Sequence, residues 1–205
     1  MDIWKEYKKR YPNEYLNIDG IVEPTTYKAQ PIKLLFILKE TNQLYKSLVE
    51  FLREGAPDGG KLTWQPVCKW IEAIIYGTQN GNYSTAEERS EMLKRIATMN
   101  IKKSPGGATS DSSYLEWAKR NKDLLLAQIQ EIAPDIIIVC CAPNENIVIN
   151  EILFPDIETQ KFDNTDLWYS TWKQKGYLIF ARHPNRAPSN YIVAFSKFNK
   201  AKINN

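Results

Sequence analysis

Residues 125–142 read "LLAQIQEIAPDIIIVCCA", and this stretch decides the fold. Its first half has a helical pattern that Pro134 ends, because proline lacks the N–H and clashes with the preceding turn. Directly afterwards, "DIIIVCCA" (135–142) is β-branched and apolar at nearly every position. Such a run fits a strand covered on both faces, whereas a half-solvated strand would alternate. A helix followed at once by a doubly covered strand belongs to a parallel sheet with helices on its faces.

Working outward, three more runs read as strands: "KLLFILKE" (33–40), "IATMNI" (96–101) and "YLIFAR" (177–182), with "WYSTW" (168–172) as an edge hairpin. Helical segments lie between them at 42–54, 64–77, 84–97, 112–134 and 188–202. Gly77 sits where a C-terminal cap belongs, and Ser84 and Thr85 are N-cap candidates with Glu87 and Glu88 in the first turn. Alternating strand and helix predicts one α/β domain over 1–205, a three-layer α/β/α fold with a short, mainly parallel four-stranded sheet. Residues 1–30 are expected to be an N-terminal helical extension and 31–195 the core that carries the motifs.

Composition narrows the classes. The chain has 205 residues, 43% of them hydrophobic, enough for one core. No apolar run is long enough for a membrane span, and "MDIWKEYKKRYP" lacks the apolar stretch of a secretory signal. Three cysteines, Cys68, Cys140 and Cys141, make an odd count without paired spacing. Reduced thiols in a cytoplasmic protein, with no structural zinc, are the expectation. A net charge of +3 permits an anionic partner without demanding one.

In open parallel sheets ligands bind at the carboxyl ends of the strands. The residues there are Lys39-Glu40-Thr41-Asn42, Asn100-Ile101-Lys102-Lys103, Cys141-Ala142-Pro143-Asn144 and His183-Pro184-Asn185-Arg186. A carboxylate, an amide, two lysines and the sole histidine of the chain should therefore converge on one rim.

These segments, in this order, resemble the motifs of the uracil-DNA glycosylase superfamily, most closely its family-4 branch. "ILKETN" (37–42) stands where that branch has Gly-Glu-Ala-Pro-Gly, and "MNIKKSPGG" (99–107) where it has Asn-Val-Val-Lys and a proline loop. "LLAQIQEIAPDIIIVCCA" follows the family's L-x-x-Q-I-x-x-I-x-P helix, and "HPNRA" (183–187) its His-Pro-Ser. The likeness runs from about residue 31 to 195. It departs at Lys39 and Asn42, which replace the family's first glycine and proline, and at Asn185, which replaces the serine. Three cysteines at these spacings cannot rebuild a four-cysteine iron–sulfur site, so no cofactor is expected.

The resemblance implies a uracil-DNA glycosylase-like fold and a monofunctional DNA glycosylase, a monomer acting on single- or double-stranded DNA. Glu40 would stabilise the cationic sugar and orient water, while His183 would donate to the departing base. Asn100 would read the base edge, since an amide offers both a donor and an acceptor. Thr41, Asn42, Lys39 and Trp64 would line the substrate pocket. Trp64 and Tyr45 are the aromatic candidates for stacking, with core packing as the alternative for each. Lys102, Lys103, Ser104, Asn185 and Arg186 would meet DNA, with solvated surface charge as the alternative for the lysines. Gly106-Gly107 is either a close approach of the DNA backbone or a simple turn.

Three readings of function stay open. The excised base is uracil or another damaged base, or it is a hypermodified base of phage DNA, removed in host defence. Alternatively, the same fold binds nucleic acid or a nucleotide without cutting. An unrelated doubly wound hydrolase or nucleotide-binding protein is disfavoured, because the chain has neither a Gly-rich phosphate loop nor a G-x-S-x-G elbow.

Overall fold

The four strongest apolar runs become four neighbouring parallel strands. The computed structural model describes residues 2–57, 59–107, 113–140, 147–155, 157–163, 165, 167–172 and 176–203. In chain order the elements are α1 (Ile3–Arg10), β1 (Gly20–Ile21), α2 (Pro24–Lys28), β2 (Leu34–Leu38), α3 (Leu48–Arg53), α4 (Lys61–Tyr76), α5 (Ala86–Leu93) and β3 (Ala97–Asn100). There follow α6 (Ser113–Arg120), α7 (Lys122–Ile132), β4 (Ile136–Val139), β5 (Gln160–Lys161), β6 (Trp168–Trp172), β7 (Gly176–Phe180) and α8 (Tyr191–Phe198).

The sheet order is β1-β3-β2-β4-β7-β6-β5. The inner four, β3, β2, β4 and β7, are mutually parallel. The whole sheet has seven strands and is mixed, which corrects the expected four-stranded one. β1 pairs antiparallel with β3 at one edge, and the β5–β6 ribbon extends antiparallel from β7 at the other. The two-residue strands β1 and β5 are too short for periodicity to register. Residues 1–30 are likewise more than a helical extension, since β1 joins the sheet between α1 and α2.

Period-two alternation sends the strands' side chains to two cores. Leu34, Phe36, Leu38, Ile136, Ile138 and Ile179 pack with α3, α4 and α8. Leu35, Ile37, Ala97, Met99, Ile137, Val139, Leu178 and Phe180 pack with α6 and α7. Every residue of β2, β3 and β4 is buried, as expected for strands covered on both sides. Helices on both faces give three layers. Among the described residues no helix is long and apolar enough to cross a membrane.

Local chemistry explains the helix ends. Thr85 and Glu88 form a reciprocal capping box at the start of α5, satisfying two N–H groups that the helix leaves open. Gly77 ends α4 at φ 68°, a left-handed position that glycine adopts without strain. Two expected helices are shorter than read. Residues 42–47 form a loop in which Gln43 has φ 48°, so the helix there begins only at Leu48. The long helix of 112–134 breaks at Asn121, whose Nδ2 bonds the Tyr11 hydroxyl at 2.7 Å and the Trp117 carbonyl at 2.9 Å. Tyr11 also stacks on Trp117, with centroids 4.6 Å apart.

Candidate functional site

Counting only the parallel strands, the first, β2, lies between the second, β3, and the third, β4. The connection from β2 runs through α3, α4 and α5 to β3, and the next runs from β3 through α6 and α7 past β2 to β4. The strand order therefore reverses at β2, and a crevice opens between the carboxyl ends of β2 and β4. Glu40 follows β2 on one side of that crevice. The expected residues on the other side, Cys141-Ala142-Pro143-Asn144, lie outside the described residues. β7 is the next strand beyond β4, so its carboxyl end is about 10 Å from that of β2, at two strand spacings. Asn100 at the end of β3, Glu40 after β2 and His183 after β7 thus lie along one edge.

Glu40 is enclosed, its side chain 4% exposed. The Lys102 ammonium lies 2.9 Å from its Oε2, but off the line of a hydrogen bond, so Oε2 has no hydrogen-bond donor. A Cβ on Gly106 would fall inside the Glu40 carboxyl group. The loops carrying the two residues are zipped together by two hydrogen bonds, which together make a parallel bridge between Asn42 and Gly106. Gly106 N–H donates to the Thr41 carbonyl at 2.8 Å, and Gln43 N–H donates to the Gly106 carbonyl at 3.1 Å. Gly106 therefore serves the close approach of Glu40, a third role beside the two read from sequence.

Asn100 ends β3 with its side chain buried, and its Nδ2 has no hydrogen-bond partner. Leaving a buried donor unbonded costs about 1–3 kcal/mol, which an acceptor on a ligand would recover. Its backbone is fixed, because Asn100 N–H donates to Asp19 Oδ2 at 2.7 Å. Asp19 immediately precedes β1, and sequence alone did not mark it.

His183 begins the short turn Pro184–Arg186, and its Nδ1 accepts from Asn185 N–H at 3.3 Å. A ring nitrogen that accepts carries no proton, so the neutral imidazole bears its proton on Nε2 and can donate from there. Pro184 is buried and anchors the turn, while Asn185 and Arg186 are exposed. A cavity of about 160 Å³ behind the turn is lined by Gln65, Pro66, Lys69, Trp70, Pro184 and Ser189 among others, and His183 is not part of it.

Four expected contacts turn inward instead. Lys103 is fully buried and bonds both Asp19 oxygens at 2.9 Å and Gln128 Oε1 at 2.8 Å. Its ammonium is closed off from any phosphate. Burial pulls its pKa below the usual lysine value, and Asp19 offsets this only in part. Lys102 is occupied by Glu40 rather than held out to solvent. Trp64 packs in the core beside β2 and α8, which corrects its assignment to a substrate pocket; α4 begins at Lys61, so Trp64 falls on its inner face. Thr41 is buried, with its hydroxyl donating to Asn17 Oδ1 at 2.7 Å, and holds the loop. Lys39 has its ammonium 5.2 Å from the Tyr114 ring centroid, an attractive cation–aromatic contact. Asn42 is exposed on the rim and Ser104 is half-buried beside it. Cys140 is buried at the end of β4.

Compared with protein-family models and with curated proteins, the chain matches none of them.

Proposed function

We propose that the protein is a DNA glycosylase that hydrolyses the N-glycosidic bond of a uracil or modified base swung out of the DNA. One observation carries the reading. Asn100 Nδ2, an enclosed donor at the end of β3, lacks a hydrogen-bond partner, and the enclosed Glu40 carboxylate, charge-paired with Lys102, follows the adjacent parallel strand β2 at the edge where such sheets take ligands. The resemblance of "ILKETN", "MNIKKSPGG" and "HPNRA" to uracil-DNA glycosylase motifs supports it independently.

Bond cleavage leaves positive charge on the sugar and negative charge on the base. In this reading, Glu40 faces the sugar and aligns the attacking water. His183 donates from Nε2 to the base oxygen that gathers charge, a preorganised contact worth about 3–4 kcal/mol of barrier by analogy with other oxyanion sites. Asn100 pairs with the base edge; uracil presents O4 as acceptor and N3–H as donor. Arg186, exposed on the His-Pro turn, fills the gap left in the strand by stacking its planar head. Extrusion costs a few kcal/mol, least where the base is mispaired or unpaired.

Uracil and an enlarged base are the two candidates, and the polar, exposed Asn42 and Asn185 favour the latter. The test is single-turnover release of free base from oligonucleotides carrying uracil, hypoxanthine, xanthine or glycosylated hydroxymethylcytosine. On the accepted base, Glu40→Gln and His183→Ala are expected to slow release by orders of magnitude. Full activity in both variants would remove the assignment. Binding without turnover across the panel would leave the non-catalytic reading.

A further inference from the structure

Among the large apolar side chains left exposed, Tyr15, Ile18 and Tyr45 gather beside the rim. Tyr15 and Tyr45 are 45% and 70% exposed and meet edge to face, with ring centroids 5.8 Å apart. They are not carried by a loose segment. Asn17, almost fully buried, donates from Nδ2 to the carbonyls of Leu44 at 2.7 Å and Lys46 at 2.8 Å, the residues on either side of Tyr45. Its Oδ1 accepts from Thr41 and its own N–H donates to the Lys103 carbonyl at 2.8 Å. One buried amide therefore pins the backbone around Tyr45 while the ring stands in solvent. Tyr15, two residues before Asn17, is held by the same clamp.

Ordering a loop costs conformational entropy, and an exposed ring returns little burial to offset it. A clamp that fixes such a ring therefore makes sense for a ligand. Tyr45 stands on the loop that starts at Glu40 and is zipped to Gly106, so this ring and the candidate acid share one loop. Every nucleobase has an apolar face, and stacking on a fixed aromatic ring holds an unpaired strand whatever its sequence. In a duplex those faces are already stacked on one another.

We infer that Tyr45, buttressed by Tyr15, is a stacking platform for an unpaired base flanking the nucleotide in the site, which makes single-stranded DNA the substrate class. The inference rests on the base-excision reading for the identity of the neighbouring nucleotide, but its test does not. A labelled single-stranded oligothymidylate, which holds no uracil or modified base, is titrated with the protein and compared with its duplex. The single strand is expected to bind more tightly. Tyr45→Ala should weaken that binding about tenfold or more, whereas Tyr45→Phe, which keeps the ring, should not. Tyr76→Ala is the control: Tyr76 is 46% exposed and meets Gln30 and Arg95 at the opposite, amino edge of the sheet. Wild-type binding in Tyr45→Ala, or equal binding of strand and duplex, overturns the platform. Loss of strand binding in Tyr45→Ala with no base released from any substrate supports the platform and removes the glycosylase reading. Base release together with unchanged binding in Tyr45→Ala removes the platform alone.

Discussion

Lys102 and Glu40 form an ion pair in which Nζ lies 2.9 Å from Oε2 while both side chains are largely enclosed, at 17% and 4% exposure. The next residue, Lys103, reaches the other way and is bonded to Asp19. Two adjacent lysines just past β3 are thus each committed to a different carboxylate. Lys102 supplies the counter-charge for the acid at the centre of the candidate site, and Lys103 fastens β1 to the end of β3.

Enclosed pairs are costly to split, because removing one partner leaves the other charge away from water. Lys102→Met is expected to lower unfolding free energy by about 2–3 kcal/mol, below the range for fully enclosed pairs because the lysine retains some solvent. Adding Glu40→Gln should return most of that loss. Urea unfolding of both single variants and the double variant measures the coupling. If the two losses simply add, the pair is not an energetic unit.

A second carboxylate gives the protein a predictable acid sensitivity. Glu72, buried in α4, accepts from the Thr78 hydroxyl, Asn80 N–H, Gly81 N–H and the Tyr83 hydroxyl, and so organises the polar loop after α4. Burial alone would raise its pKa, but the four donors together outweigh burial and hold it below the ordinary glutamate value of 4.5. A carboxyl with a lowered folded pKa prefers the folded state when ionised. Its stabilisation is complete above about pH 4.5 and drains away as pH falls through the folded value. Glu72→Gln should cost about 1–3 kcal/mol at neutral pH and should flatten this part of the stability–pH curve. Chemical unfolding between about pH 3 and about pH 7, which brackets the titration of a carboxylate, tests both. An unchanged acid slope in Glu72→Gln would assign the sensitivity to other groups.

Elements whose signal is local were legible in the chain. "DIIIVCCA" and "KLLFILKE" read as strands because each is short and apolar, bounded by polar residues or proline, and that reading picks out which residues follow the strands. Glu40, Asn100 and His183 were reached that way. What stayed hidden depends on partners distant in sequence. Asn121 breaks a helix because Tyr11, 110 residues earlier, supplies its bond. Lys103 looked like a surface cation until Asp19, 84 residues earlier, closed over it. Tyr45 and Trp64 were equivalent as aromatics. Only the Asn17 clamp and the true start of α4 send one outward and the other into the core.

Gly106 joins these threads, because the space above its Cα is filled by the Glu40 carboxyl group. Its backbone is not left-handed, so the requirement is room rather than conformation. Gly106→Ala should therefore force either the carboxylate or the loop aside. Overpacking of this kind costs about 1–3 kcal/mol. On the base-excision reading it also slows base release, since the acid leaves its place beside the crevice. Glu40→Ala removes the obstruction but strands Lys102, so Gly106→Ala should cost little further stability when added to Glu40→Ala, and both of those variants should be inactive. Thermal or urea unfolding of the set reads the first effect and single-turnover release the second. A Gly106→Ala protein as stable and as active as the parent would mean that the Glu40 carboxyl does not rest on Gly106. The acid would then have to be positioned by Lys102 alone.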